Sequence, residues 1–152
     1  MKMLTYLLAL LVVLGLAPVA FAGPAEEIAE IGKQRAQFFT DGNLDAWMVA
    51  YADNAVLTSA LVPFRLEGKE AIRAHYANLF QNPTRRNPAR QPIMRVYGTD
   101  TTVVTNSYVH LTLVDRNGQT TNNFLRTSLT WVKINGQWRI VDQHASRIPA
   151  SP

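Results

Sequence analysis

Three stretches of helical periodicity come first along the chain, and alternating stretches follow. From Pro24, Ile28, Ile31, Phe38 and Phe39 recur near helical spacing, with Gly32 and Arg35 on or beside that stripe. Pro24 suits a first helical turn, and Glu26, Glu27 and Glu30 suit the positive end of the helix dipole. Asp41-Gly42 ends this helix, since glycine readily takes the left-handed conformation just past a helix end. Leu44, Trp47, Met48 and Tyr51 fall at i, i+3, i+4 and i+7, which predicts a second, short helix stopped by Asp53-Asn54. Ala55 to Ser59 reads as a short strand, and Leu61 to Glu67, with Pro63, as a loop. Gly68-Lys69-Glu70 opens a third helix with Ile72, Tyr76, Leu79 and Phe80 on one face, closed by Asn82-Pro83.

Alternation then takes over. Pro92 to Tyr97 starts a sheet, and Gly98-Thr99-Asp100 turns the chain. Thr102 to Val114 predicts a long strand with Val103, Val109, Leu111 and Leu113 on one side and Val104, Tyr108, His110, Thr112 and Val114 on the other. Asp115-Arg116-Asn117-Gly118 is a hairpin turn, and strands follow from Gln119 to Ile134 and from Gln137 to Ser146. The turn between these two is Asn135-Gly136, the strongest short-range hairpin signal, because a type I′ turn needs positive φ at both central positions. Trp131, Trp138, Ile140 and Val141 give that hairpin the apolar surface of a sheet centre. The expected architecture is α+β: a cone-shaped, curved antiparallel sheet packed against three N-terminal helices, with a cavity between them.

Charge and composition add a compartment. Lys2, the apolar run Leu7 to Leu16 and Ala20-Phe21-Ala22 have the order of a secretory signal peptide, so residues 1–22 are expected to be a leader and residues 23–152 a single domain. The expected location is periplasmic or secreted, with no membrane association once the leader is removed. The chain has no cysteine, so folding relies on the core alone. A formal net charge of +4 is mild, and its one dense basic patch, Arg85, Arg86, Arg90 and Arg95, is broken by Pro83, Pro88 and Pro92. That patch reads as a solvated loop. With no aromatics between its arginines, it gives no basis for a nucleic-acid partner. No His, Asp and Glu set has metal-ligand spacing, and no nucleophile elbow, phosphate loop or dinucleotide fingerprint occurs, so no metal and no cofactor are expected.

The stretch Tyr51 to Asn78, YADNAVLTSALVPFRLEGKEAIRAHYAN, resembles the helix-strand-helix core of ketosteroid isomerases, members of the nuclear-transport-factor-2-like (SnoaL-like) superfamily. Phe124 to Ser146, FLRTSLTWVKINGQWRIVDQHAS, is similar to the association domain of calcium/calmodulin-dependent protein kinase II and to SgcJ/EcaC-like proteins. Together the resemblance spans nearly all of residues 23–152. It implies the cone fold but no single chemistry, because isomerases, cyclases, dehydratases, binding modules and oligomerisation hubs share it. Aligned with the isomerases, the general-base aspartate falls on Ser59 and the oxyanion-hole tyrosine on Arg35. An unassisted serine is no proton shuttle at neutral pH, and an always-charged guanidinium cannot replace a neutral donor. Steroid isomerisation is therefore not expected. Where the association domain carries arginines in its Y-I-R and R-V-W segments, this chain has His110 and Leu129, so the peptide-binding role of that branch does not transfer.

What replaces those groups has a consistent sign. Arg35, Arg126, His110 and His144, walled by Trp47, Tyr51, Tyr76 and Trp131 with Ser59 nearby, suit a small anionic ligand with an apolar body, because arginine binds carboxylate bidentately. A regular two-residue hairpin at Asn135-Gly136 pairs Thr127 with His144 and turns Arg126 away from it; one bulge reverses that parity. Three functions remain open: an exported, dimeric binding domain; an enzyme of the same fold with His144 or His110 as acid/base, assisted by Tyr51 or Ser59; and an assembly module using the outer sheet face.

Overall fold

A computed structural model describes residues 23–81, 85–90 and 95–149. The expected leader, the Asn82-Pro83 helix stop and Pro92 lie outside these. Helix α1 (Pro24–Asp41) begins with proline in its first turn and ends on Gly42 at φ 76°, whose N–H bonds the Phe39 carbonyl. Helix α2 (Leu44–Met48) is a single short turn and a half, capped by the Asn43 side chain accepting from the Ala46 N–H at 3.0 Å. Helix α3 (Lys69–Gln81) buries Ile72, Tyr76 and Phe80.

The strands are β1 (Tyr51–Thr58), β2 (Leu66–Glu67), β3 (Arg85–Arg90), β4 (Arg95–Gly98), β5 (Thr102–Val114), β6 (Thr120–Ile134) and β7 (Gln137–Arg147). They form one sheet in the order β2-β1-β7-β6-β5-β3, with β4 also on β5. All pairings are antiparallel except β1 with β7. This antiparallel-rich, unclosed sheet curves around the helices, and the α+β cone is as expected.

Three local readings change. Leu66 and Glu67, expected to end a loop, form the short strand β2 on Leu57 and Val56 of β1. Tyr51 is the first residue of β1, not the last of a helix, because the chain leaves α2 after Met48. The expected solvated loop at Arg85 is the edge strand β3, paired from Arg85 with Val114 to Arg90 with Val109. Pro88 is tolerated there because an edge strand has one side free of ladder hydrogen bonds. Arg86 turns inward, donating from Nε to the Phe39 carbonyl and from Nη1 to the Phe80 carbonyl, both at 2.9 Å. It thus binds the C-terminal ends of α1 and α3 to the sheet edge.

The hairpin at Asn135-Gly136 forms with φ 50° and 76°. Its ladder slips by one residue: Trp131 faces Ile140, but Thr130 faces Asp142, leaving Val141 as the extra residue. Beyond that bulge Thr127 pairs with Ala145 and Ser128 with His144.

Candidate functional site

Between the helices and the concave face of the sheet lies a cavity of about 90 Å³. Its walls are mostly apolar: Phe39 from α1, Trp47 from α2, Leu57 from β1, Leu79 from α3, Val109 and Leu111 from β5, and Leu125 from β6. Five polar side chains reach it: Ser59, His75, Tyr76, Thr127 and Gln143. Ser59 also orders the mouth, its Oγ accepting from the Leu61 N–H at 3.2 Å.

Unbroken alternation along β5 and β6, together with the bulge in β7, decides which residues these are. Leu125 and Thr127 line the cavity, so Arg126 between them faces the convex side. Gln143 and Ala145 line it, so His144 faces outward, and Val109 and Leu111 likewise put His110 outside. Arg126 and His144 are exposed, and His110 stacks on exposed Phe124 with ring centroids 4.4 Å apart. These three expected cavity residues are therefore brought to the opposite surface. Trp47, Ser59 and Tyr76 are in the cavity as expected. Tyr51 and Trp131 are buried behind it without lining it. Arg35 is buried too, its guanidinium carbon 3.9 Å from the centre of the Trp47 ring, and it lines a groove on another side of the helices.

Of these five, His75, Thr127 and Gln143 are the members that sequence reasoning missed. Tyr51, Tyr76 and Gln143 form a closed knot. The Tyr51 hydroxyl is 2.5 Å from Gln143 Oε1 and 3.1 Å from the Tyr76 hydroxyl, and Gln143 Nε2 donates to the Tyr76 oxygen at 3.2 Å. Tyr51 has one proton, and the amide oxygen can only accept, so that proton goes to Gln143. Tyr76 keeps its own proton for Tyr51 or for a molecule in the cavity. Burial, and then the neighbouring Tyr76, push the Tyr51 hydroxyl well above its ordinary value, and Arg35 pulls it back without cancelling that. Tyr51 thus stays neutral and keeps donating. His75 is half-buried, and desolvation lowers its pKa, so at neutral pH its imidazole is uncharged. Among the described residues no group of three or more His, Cys, Asp or Glu side chains gathers to hold a metal.

The SnoaL-like domain model matches residues 28–151. The chain belongs to the SnoaL-like domain family. Solved structures agree with this fold. A nuclear transport factor 2-like superfamily protein of Salmonella enterica is 20% identical with a TM-score of 0.74, over 83% of this chain and 92% of that one. A candidate calcium/calmodulin-dependent protein kinase II association domain from Xanthomonas campestris is 22% identical at 0.71, over 86% and 95%. A candidate scytalone dehydratase from Novosphingobium aromaticivorans is 11% identical at 0.73, over 80% and 82%. Likenesses this distant establish a shared fold and leave chemistry to the residues. No curated protein matches the chain.

Proposed function

We propose that this SnoaL-like chain is an exported, dimeric binding domain that holds a small, apolar-bodied acid in its cone cavity. The observation that carries this reading is the Tyr76–Gln143 pair in a mostly apolar cavity. Gln143 Nε2 has a second N–H, and Tyr76 a proton that Tyr51 does not require. Two neutral donors inside an apolar wall suit a carboxylate or carbonyl oxygen, because buried donors without acceptors are costly and water is scarce there. The cavity is well below the roughly 300–1,000 Å³ of drug-sized sites, so its occupant is of fragment size.

The dimer reading rests on the convex face. Tyr108 and Phe124 are 49% and 54% exposed on adjacent strands, and Arg126, His110 and His144 surround them with polar groups. An apolar centre with a polar rim suits a second copy of the chain. The export reading rests on the leader pattern of residues 1–22 alone.

Native mass spectrometry of the protein purified from its producing cells tests the three readings together. The expected result is a dimer of chains beginning at Gly23 with a small acid bound. Chains that retain residues 1–22, a monomer, or an empty cavity would each remove the corresponding part of the reading. Tyr76→Phe combined with Gln143→Leu should weaken binding of that acid by about tenfold or more, since two hydrogen bonds to a charged group are lost. Undiminished affinity would place the ligand elsewhere.

A second reading is favoured by one observation: His75 lines the cavity as a neutral imidazole, the form that accepts a proton. An enzyme of this fold would then use His75, not His110 or His144, as its base. The lowered pKa has a measurable consequence. The unfolded chain protonates near the ordinary histidine value while the folded chain does so only at lower pH. Stability is therefore complete above the ordinary value and falls as pH drops below it. His75→Phe should remove that part of the acid sensitivity in denaturant titrations run between pH 7 and pH 5. An unchanged pH slope would show that His75 is not desolvated.

A further inference from the structure

The two donors in the cavity, Tyr76 and Gln143, are neutral, and they suit a neutral carbonyl oxygen as well as a carboxylate. No aspartate, glutamate, lysine or arginine lines the cavity, so no charge in its wall decides between the two. A charge behind the wall does. Arg35 of α1 is 2% exposed, and among the described residues no carboxylate pairs with it. Its Nε and Nη2 have no hydrogen-bond partner. An arginine cannot neutralise itself by losing its proton, so a full positive charge stands in the core.

Three aromatic rings surround that charge. Its guanidinium carbon lies 3.9 Å from the centre of the Trp47 ring, 5.2 Å from that of Tyr51 and 5.7 Å from that of Trp131. Ring faces attract a cation through their quadrupole but carry no net charge, so they hold the guanidinium without cancelling its field. Tyr51, held neutral, supplies no counter-charge. Trp47 is a shared wall: Arg35 lies over its ring, and it lines the cavity, as does Ala36, the next residue along α1. Tyr51 is a second link, because its hydroxyl is hydrogen-bonded to both Tyr76 and Gln143. In an apolar interior a unit charge acts across such distances with far less screening than in water. Arg86, the other buried cation, differs: it sits on carbonyls at the negative ends of α1 and α3, which offset its charge.

We propose that Arg35 is the specificity-determining residue of the cone cavity: its field, acting across the Trp47 and Tyr51 rings without contact, makes the cavity take a small monocarboxylate in preference to the neutral carbonyl compound of the same shape. This rests on the cavity reading above and names the residue that gives the site its preference for charge. No atom of Arg35 has to reach the ligand. A carboxylate in the cavity is the counter-charge that the core lacks, so the bound acid and the buried cation stabilise each other.

Benzoate and benzamide, matched in shape and different in charge at pH 7, are the probes. Each is titrated into the ¹⁵N-labelled protein and read by the amide shifts of Leu79, Thr127 and Ala145, which line the cavity. The expected result is saturable movement with both, and benzoate binding tighter by about tenfold or more. Added salt should leave most of that ratio in place, because the charge is buried. Arg35→Met keeps an unbranched chain against Trp47 and removes the charge; it should weaken benzoate alone and bring the ratio to about one. Equal weakening of both compounds in Arg35→Met, with the ratio kept, would overturn the proposal and leave Arg35 a structural residue. A wild-type ratio of about one, or a ratio that salt abolishes, would overturn it as well, and neither needs the variant to fold. If neither compound moves the cavity amides, the cavity reading itself falls and this proposal falls with it.

Discussion

Trp131→Ala is expected to lower the stability of the protein by about 3–5 kcal/mol, the cost of emptying a large aromatic site in a packed interior. Trp131 is 1% exposed and sits in the middle of β6, opposite Val103 of β5 and Ile140 of β7, which are buried too. Its indole N–H donates to Thr105 Oγ1 at 3.2 Å, so alanine also leaves a buried hydroxyl without its partner. The backbone around it is held by the two longest ladders of the sheet and cannot collapse into the hole. Trp131→Phe keeps much of the volume and should cost less, about 1–2 kcal/mol, mainly for the hydrogen bond. Urea titration distinguishes these outcomes, with an unchanged denaturant slope expected for both. A loss below about 1 kcal/mol for the alanine variant would place Trp131 outside the core. The same substitution removes one ring from around Arg35.

What sequence reveals here depends on how local each cause is. The Asn135-Gly136 turn is legible because its signal is two adjacent residues able to take positive φ, and both do. The β5 strand is legible from end to end because buried and more exposed positions alternate from Thr102 to Leu111. Gly42 is legible as a helix end for the same local reason. The bulge at Val141 is not local. It arises where β6 and β7 adjust their ladder so that Trp138, Ile140 and Gln143 all face the concave side, and nothing in Ile140-Val141-Asp142 announces it. Its effect is large, since one slipped residue sends His144 outward and brings Gln143 inward, whereas Arg126 faces outward by the unbroken alternation of β6. Tyr51 fits a helical period and a strand start equally well, and the early end of α2 decides between them. Arg85 to Arg90 hides a strand because proline and arginine are poor strand residues, and only an edge position against β5 accommodates them. Arg35 belongs to a third kind. Its place on the α1 stripe is readable, but its missing partner is visible only once the neighbours are assembled.

Arg86→Met should be almost as damaging as the loss of Trp131, at about 3 kcal/mol or more, for an electrostatic reason. The last carbonyls of a helix have no partner within the helix, and they carry the negative end of its dipole. Arg86 meets two such ends at once, α1 through the Phe39 carbonyl and α3 through the Phe80 carbonyl, both at 2.9 Å. Hydrogen bonds to a charged donor contribute about 1.5–3 kcal/mol each, and methionine replaces neither. Arg86 is 9% exposed, so water does not readily take over the abandoned carbonyls. Gly42 is tied to the same contact: a Cβ there would lie 2.4 Å from Arg86 Nη2, and the backbone has φ 76°. Gly42→Ala should therefore destabilise through both strain and displacement of the guanidinium. Its cost added to that of Arg86→Met should exceed the cost of the double variant, because part of each is the same lost contact. Strict additivity in thermal or urea unfolding would separate the two residues. The coupling also reaches function. Arg86 ties the helix ends to the sheet edge, and Pro88, two residues on, lines the cone cavity. Loosening this corner should lower affinity for the cavity ligand before the fold is lost, whereas Trp131→Ala should act on stability first.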